Sequence, residues 1–183
     1  NMATKRLYFS NAPNVTSSYF TRYASAYNGF TSHNSFLYES RRFAVFNALS
    51  LKDYGDVKMG ERRSHGYNNW GLMHFYVNED GEVLMNENPN IQKNTGFQQF
   101  DLINKMLLKL SNEWRMTTNI QYSNSSNVPR FDKLNDLSDE VCGICGNNLP
   151  KYLYWYYGPQ KRFLGSISFL GLENRSFFEK SDI

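Results

Sequence analysis

From Trp114 to Ser123 the side chains alternate residue by residue, with Trp114, Met116, Thr118, Ile120 and Tyr122 set against Arg115, Thr117, Asn119, Gln121 and Ser123. A helix would scatter these apolar residues around its girth, whereas a strand gathers them on one face. The run predicts a strand near 113–124, and similar patterns recur. Val15 to Tyr27 carries Tyr19, Tyr23 and Tyr27 at even spacing and ends on Asn28-Gly29, a pair suited to the positive φ angles of a tight hairpin turn. Phe30 to Tyr38 is then its partner strand, and Phe43, Val45, Leu49 and Leu51 mark one face of a third strand near 42–54, interrupted by Asn47. Phe100, Leu102, Met106, Leu108 and Leu110 give a strand near 96–110. A helix competes there, because Leu102, Met106 and Leu110 are spaced by four, but the strand-like neighbours favour a strand. Phe163, Ile167 and Phe169 mark a last strand near 151–172. Composition agrees: 30 of 183 residues are aromatic, Asn occurs 22 times and Ser 18, and only six are Ala, which favours strands and polar loops over helical bundles.

Two kinds of interruption separate these runs. Breaks at 39–41 and 111–112 are tight, whereas 56–94 and 124–150 are long and polar, so from the second junction onward short and long connections alternate. One end of the sheet should be bare and the other crowded, the arrangement of outer-membrane barrels with short periplasmic turns and long outer loops. Soluble antiparallel sheets also alternate apolar-in and polar-out, but 96–110 and 151–172 exceed the five or six residues usual in soluble sheets and suit a tilted membrane strand. Tyr152, Tyr154, Trp155, Tyr156 and Tyr157 cluster where the last long loop enters its strand, as in an interfacial aromatic girdle. The expected fold is all-β: an antiparallel up-and-down meander of six strands, an open curved sheet forming part of a transmembrane β-barrel. On the 113–124 strand, Trp114, Met116, Ile120 and Tyr122 are expected to face lipid, and Arg115, Thr117, Asn119 and Gln121 the lumen.

Gln121-Tyr122-Ser123-Asn124-Ser125-Ser126-Asn127-Val128-Pro129-Arg130-Phe131-Asp132 and Trp155-Tyr156-Tyr157-Gly158-Pro159-Gln160-Lys161-Arg162 resemble early barrel strands of the TonB-dependent outer-membrane receptors. Asn94-Thr95-Gly96-Phe97-Gln98-Gln99-Phe100-Asp101 is similar to that family's strand opening after a large loop, and Asn1-Met2-Ala3-Thr4-Lys5 resembles the last strand of its plug domain. The resemblance implies that residues 1–10 end a plug domain and 11–183 begin a barrel in a bacterial outer membrane. It also implies uptake of a scarce ligand, an iron chelate, vitamin, glycan or peptide, with energy delivered by TonB. The partners so implied are outer-membrane lipid, a small-molecule or oligomeric ligand, and the TonB complex through an N-terminal region outside these 183 residues. The chain is accordingly expected to be an internal piece of a longer protein. The other reading is a soluble β-rich binding module that displays aromatic loops to sugar or protein partners.

Few residues invite chemistry. No nucleophile elbow, phosphate loop or paired zinc histidines occurs, so no catalytic residue and no cofactor is expected. Cys142-Gly143-Ile144-Cys145 has the spacing of a redox pair or half a zinc site, but only these two thiols exist, and a short-loop disulfide is expected ahead of free thiols or a metal. Asp132, Asp136, Asp139 and Glu140 lack the glycine and spacing of a calcium loop and read as a solvated acidic loop. Arg41-Arg42, Arg62-Arg63 and Lys161-Arg162 sit among aromatics, but a net charge of +3 and no basic stripe argue against nucleic acid. Crowding of polar and aromatic residues into the long loops makes Tyr67, Trp70, His74, Arg130 and Asp132 the ligand-facing candidates.

Overall fold

The computed structural model describes residues 5–134, 136–144, 146–152 and 154–171. Along the chain, β1 (Asn14–Ala24), β2 (Gly29–Glu39) and β3 (Phe43–Tyr54) come first, joined by short turns. A long segment follows, holding β4 (Val57–Lys58), β5 (Phe75–Val77), β6 (Val83–Met85) and β7 (Ile91–Gln92). Next come β8 (Phe97–Lys109) and β9 (Trp114–Pro129), then α1 (Phe131–Leu134), β10 (Leu137–Val141) and β11 (Asn148–Pro150), and finally β12 (Tyr156–Gly171). The long strands form one antiparallel sheet in the order β1-β2-β3-β8-β9-β12, an up-and-down meander open at both edges. The short ones pair locally as β4 with β7, β5 with β6 and β10 with β11. The run Leu102–Leu110, where a helix competed, belongs to β8, paired to β3 on one side and β9 on the other.

Because side chains alternate across a strand, the register fixes the two faces. One row runs Val15, Tyr38, Val45, Met106, Thr118 and Ile167; a second, closer to the loops, runs Tyr19, Asn34, Leu49, Leu102, Tyr122 and Phe163. This apolar face is open: Trp114 is 50% exposed, Ile120 42%, Phe163 70% and Ile167 67%. Midway along it Asn104 Nδ2 donates to Asn47 Oδ1 at 2.6 Å, so these two amides within the apolar pattern satisfy each other across β3 and β8.

The opposite face is the more polar one, and its middle strands are covered while Phe20 and Leu170 at the edges are exposed. Lys52 pairs with Asp101 at 2.9 Å, Ser123 Oγ donates to Asp101 Oδ1 at 2.6 Å, and His33 Nδ1 meets Ser50 Oγ at 2.7 Å. The segment before β1 lies across it. Lys105 Nζ donates to Lys5 O at 3.0 Å, the Arg115 guanidinium stacks over the Phe9 ring at 5.5 Å, and the Ser10 N–H donates to Ser40 O at 3.1 Å. Arg41 Nε fixes the end of this segment by donating to Asn11 O at 2.7 Å. The sheet's buried apolar residues, Leu37, Ala44 and Ala48, all lie on this face.

Three boundaries differ from the sequence expectation. β1 stops at Ala24 rather than Tyr27, and a four-residue turn, Ser25 to Asn28, replaces the two-residue Asn28-Gly29 turn. Asn28 alone takes a positive φ, 46°, and its Oδ1 accepts from the Tyr23 hydroxyl at 2.8 Å. Gly29 is already in β2, where the Tyr27 ring lies so close that no Cβ would fit. β9 runs on to Pro129 instead of stopping at 124, because its Ser- and Asn-rich end still pairs Ser125 with Gln99 and Pro129 with Tyr156. β12 begins at Tyr156 rather than Lys151, and its pairing with β9 is irregular around Gly158, which has φ 78°.

Gly96 stands at the mouth of the first long segment, where a Cβ would meet Tyr54 O at 2.6 Å. Gly96→Ala should cost about 1–3 kcal/mol as backbone is forced apart, whereas Gly60→Ala, with no atom within 4 Å of an added Cβ, should stay within about 0.5 kcal/mol. Urea unfolding reads both, and equal costs would contradict the close approach.

Candidate functional site

Both long segments leave the same end of the sheet, so the residues they carry gather there. The first is tied at its base. Asp56 Oδ1 accepts the N–H groups of Thr95 at 3.0 Å and Gly96 at 3.2 Å, while Thr95 Oγ1 accepts from Val57 N–H at 2.9 Å and donates to Gln92 O at 2.7 Å. Above this clasp Asn86, 4% exposed, donates through Nδ2 to Met73 O and Ile91 O at 2.8 Å each. Gln92 donates to Gly71 O, and Asn94 Nδ2 to Val77 O at 2.6 Å. Met73, Phe75 and Val77 are buried. Side-chain amides thus replace the ladder that so short a pair of hairpins lacks.

The second segment packs on the first. His74 lines a small void with Met73, Phe75, Leu134, Leu137 and Pro150, and the Tyr154 hydroxyl donates to Asn78 O at 3.3 Å. His74 therefore sits at the joint between the two segments. Tyr67 and Trp70 are brought together at the surface, 71% and 61% exposed, on either side of His65. The His65 ring stacks on Tyr67 at 5.7 Å and meets Trp70 edge-on at 5.7 Å, and the Tyr67 N–H donates to His65 Nδ1 at 3.1 Å. Arg63 holds this tip through Nε to Trp70 O at 3.1 Å and Nη2 to Asn90 Oδ1 at 2.7 Å.

Arg130 and Asp132 form a second group. The Arg130 fork donates from Nε to Asp132 Oδ1 at 3.0 Å and from Nη2 to Oδ2 at 3.1 Å, and the guanidinium lies 5.3 Å from the Trp155 ring and 5.9 Å from that of Tyr157. The Arg130 N–H donates to Trp155 O at 2.8 Å, so the start and end of the second segment are stitched together. The Asp132 carboxyl is held below its ordinary range by the Arg130 hydrogen bonds, against a smaller opposing effect of burial. The guanidinium is in turn held more firmly protonated by the same contact.

The five sequence candidates thus divide into a His65, Tyr67 and Trp70 tip, an Arg130 and Asp132 clamp, and His74 between the segments. His65 was not expected. Its signal was its place two residues before Tyr67 and five before Trp70, in a stretch without alternation. Trp155 and Tyr157, expected in an aromatic girdle, flank Arg130. Cys142 closes a turn, its N–H donating to Asn147 O at 2.8 Å and its O accepting from Gly146 N–H at 2.9 Å. Cys145, and with it the expected disulfide, lies outside the described residues. Among the described residues no three His, Cys, Asp or Glu side chains gather as a metal site. Comparison with protein-family models, curated proteins and solved structures finds no match.

Because the Asp132 carboxyl is depressed in the folded chain, the clamp contributes order that is fully present above the ordinary carboxylate range and is lost as pH falls through the lower folded value. A carboxyl-carbon NMR titration should place the Asp132 midpoint below 3.8, its ordinary value. Arg130→Ala should return it to that value.

Proposed function

We propose that the chain is a section of wall from a TonB-dependent outer-membrane receptor, with both long segments on the outer side as its ligand-facing surface. One observation carries this reading: the sheet is inside-out for a protein in water. Among the described residues its apolar face is bare, while its polar face bears the chain's own preceding segment and the buried residues Leu37, Ala44 and Ala48. A barrel wall has that polarity, with lipid on one side and plug on the other.

Dimensions support it. Strands of 11 to 16 residues, tilted by about 45°, rise about 25–35 Å, enough to cross the apolar band of an outer membrane. Aromatic residues stand near both ends of the apolar face. Tyr38 and Trp114 lie near the tight turns, and Phe30 and Tyr122, each eight residues along the same strands, lie toward the long segments. That places the two belts about 26 Å apart along a strand. The Asn47–Asn104 pair falls between them, bonded to itself, which limits its cost in lipid. A soluble module would need Trp114, Ile120, Phe163, Ile167 and Phe169 in a core, and each is at least 42% exposed.

In this reading the segment over the polar face is the end of a plug, and the tip and the clamp present aromatic rings and charged forks to incoming ligand. No catalytic residue is proposed.

Three measurements test the proposal. In plain buffer the chain should aggregate and in detergent it should disperse; a sharp soluble monomer peak with cooperative melting would favour the soluble module. In the intact receptor, Ile120→Arg, midway along the apolar face, should destabilise by about 2–4 kcal/mol in a bilayer folding titration while Asn119→Arg costs little; equal costs would sink the facing. Alanine at Tyr67 and Trp70 together, or at Arg130 and Asp132 together, should weaken ligand uptake. Unchanged uptake in both would leave the segments structural.

A further inference from the structure

A cleft of about 430 Å³ opens in the first long segment, between the β5–β6 hairpin and the chain that returns from it over 86–93. That volume lies within the range of small-molecule sites. Tyr76 and Leu84 stand opposite each other in the hairpin and so share one of its faces, while Phe75 and Val77, on the other face, are buried. Tyr76, Leu84 and Ile91 give the cleft an apolar floor, and Glu87 and Lys93 line it with opposite charges.

The turn that carries Glu87 is fixed from below. Buried Asn86 donates to Met73 O and Ile91 O and accepts the Asn88 N–H at 3.3 Å, and Asn88 Oδ1 in turn accepts the Asn90 N–H at 3.1 Å. A cleft so preorganised loses little freedom when a ligand enters. Its charges are not used internally. The Glu87 carboxylate and the Lys93 ammonium make no ion pair with each other or with any other described residue, and the Tyr76 hydroxyl has no hydrogen-bond partner among them.

The hairpin sets the spacing of the two charges. The Asn86 N–H donates to His74 O, which puts Glu87 beside the start of β5, whereas Lys93 Nζ lies 5.7 Å over the ring of Tyr76, two residues further along. Two strand residues cover about 7 Å, which is also the span of two extended peptide residues. A carboxylate and an ammonium above an apolar floor favour a ligand with the reverse order of charges and an apolar body.

We propose that this cleft binds a short zwitterionic peptide of about two residues, its ammonium on Glu87, its carboxylate on Lys93 and an apolar side chain on Leu84 and Ile91. The site is built by the first long segment alone, so it holds whether the sheet beneath stands in lipid or in water.

Ligand-observed saturation-transfer NMR on the full chain, in detergent or in plain buffer according to which disperses it, tests the site with alanyl-leucine as the probe. Acetylation removes the probe's ammonium and amidation its carboxylate, and each should weaken binding about three- to fivefold, the scale of one exposed charge pair. Glu87→Gln should make the protein indifferent to acetylation but not to amidation, and Lys93→Gln the reverse. Leu84→Ala should weaken binding of all three probes. An amide spectrum of the sheet that is unchanged in both charge variants shows that a lost preference is not a lost fold. Absence of binding, equal binding of capped and uncapped probes, or losses on capping that survive both substitutions overturn the site. Leucine bound as tightly as alanyl-leucine overturns the two-residue span. The need for detergent is read separately from binding, so failure of the peptide site leaves the membrane wall standing, and the reverse.

Discussion

The antiparallel register, which runs in step from β1 to β9 and on through the regular part of β12, is the constraint on which the rest depends. A shift of one residue at any seam would turn that strand over and send its apolar set to the polar face. The register is held by more than ladder bonds. Lys52 reaches Asp101 from β3 to β8, Ser123 reaches the same carboxylate from β9, and Asn47 meets Asn104 on the opposite side. Each pair closes only in one alignment, so a slipped sheet would leave polar groups on both faces without partners.

Given that register, the unequal treatment of the two faces follows from side-chain size and polarity. Ala44 and Ala48 leave room on the polar face for Lys5 to Asn11, and long cations, Lys105 and Arg115, hold that segment by a backbone carbonyl and an aromatic ring. The apolar face carries most of the broad side chains and, among the described residues, has no segment of the chain over it. The Asn47 and Asn104 amides at its mid-height satisfy each other. Polarity, burial and loop placement therefore agree with one another at every level of the structure.

The six strands were legible because a period of two survives any tertiary context that keeps one face apolar, as from Trp114 to Ser123. What the pattern could not reveal were features set by partners far off in the chain. The extension of β9 to Pro129 depends on β12 and β8 accepting a Ser- and Asn-rich run whose composition reads as loop. Asn47 read as a flaw in its face, because its partner Asn104 comes 57 residues later. The four-residue turn at Ser25–Asn28 depends on where the Tyr27 ring comes to rest, which local propensity does not encode. At the candidate site the residue types were legible and their grouping was not. Arg130 and Asp132 are two apart and meet, and Tyr67 and Trp70 meet through His65, but the division into tip, clamp and joint is a product of how two separate segments fold.

The clasp formed by Asp56 and Thr95 shortens the long connection between β3 and β8 to its two ends. Closing a flexible chain costs entropy that grows only with the logarithm of its length, and a clasp at the mouth makes even that cost nearly independent of what lies between. The stretch from Lys58 to Gln92 is in this sense an interchangeable cassette. A change in its length or sequence leaves the strands beneath in alignment. The sheet is then a fixed frame, and a change above the clasp is felt there rather than in the strands.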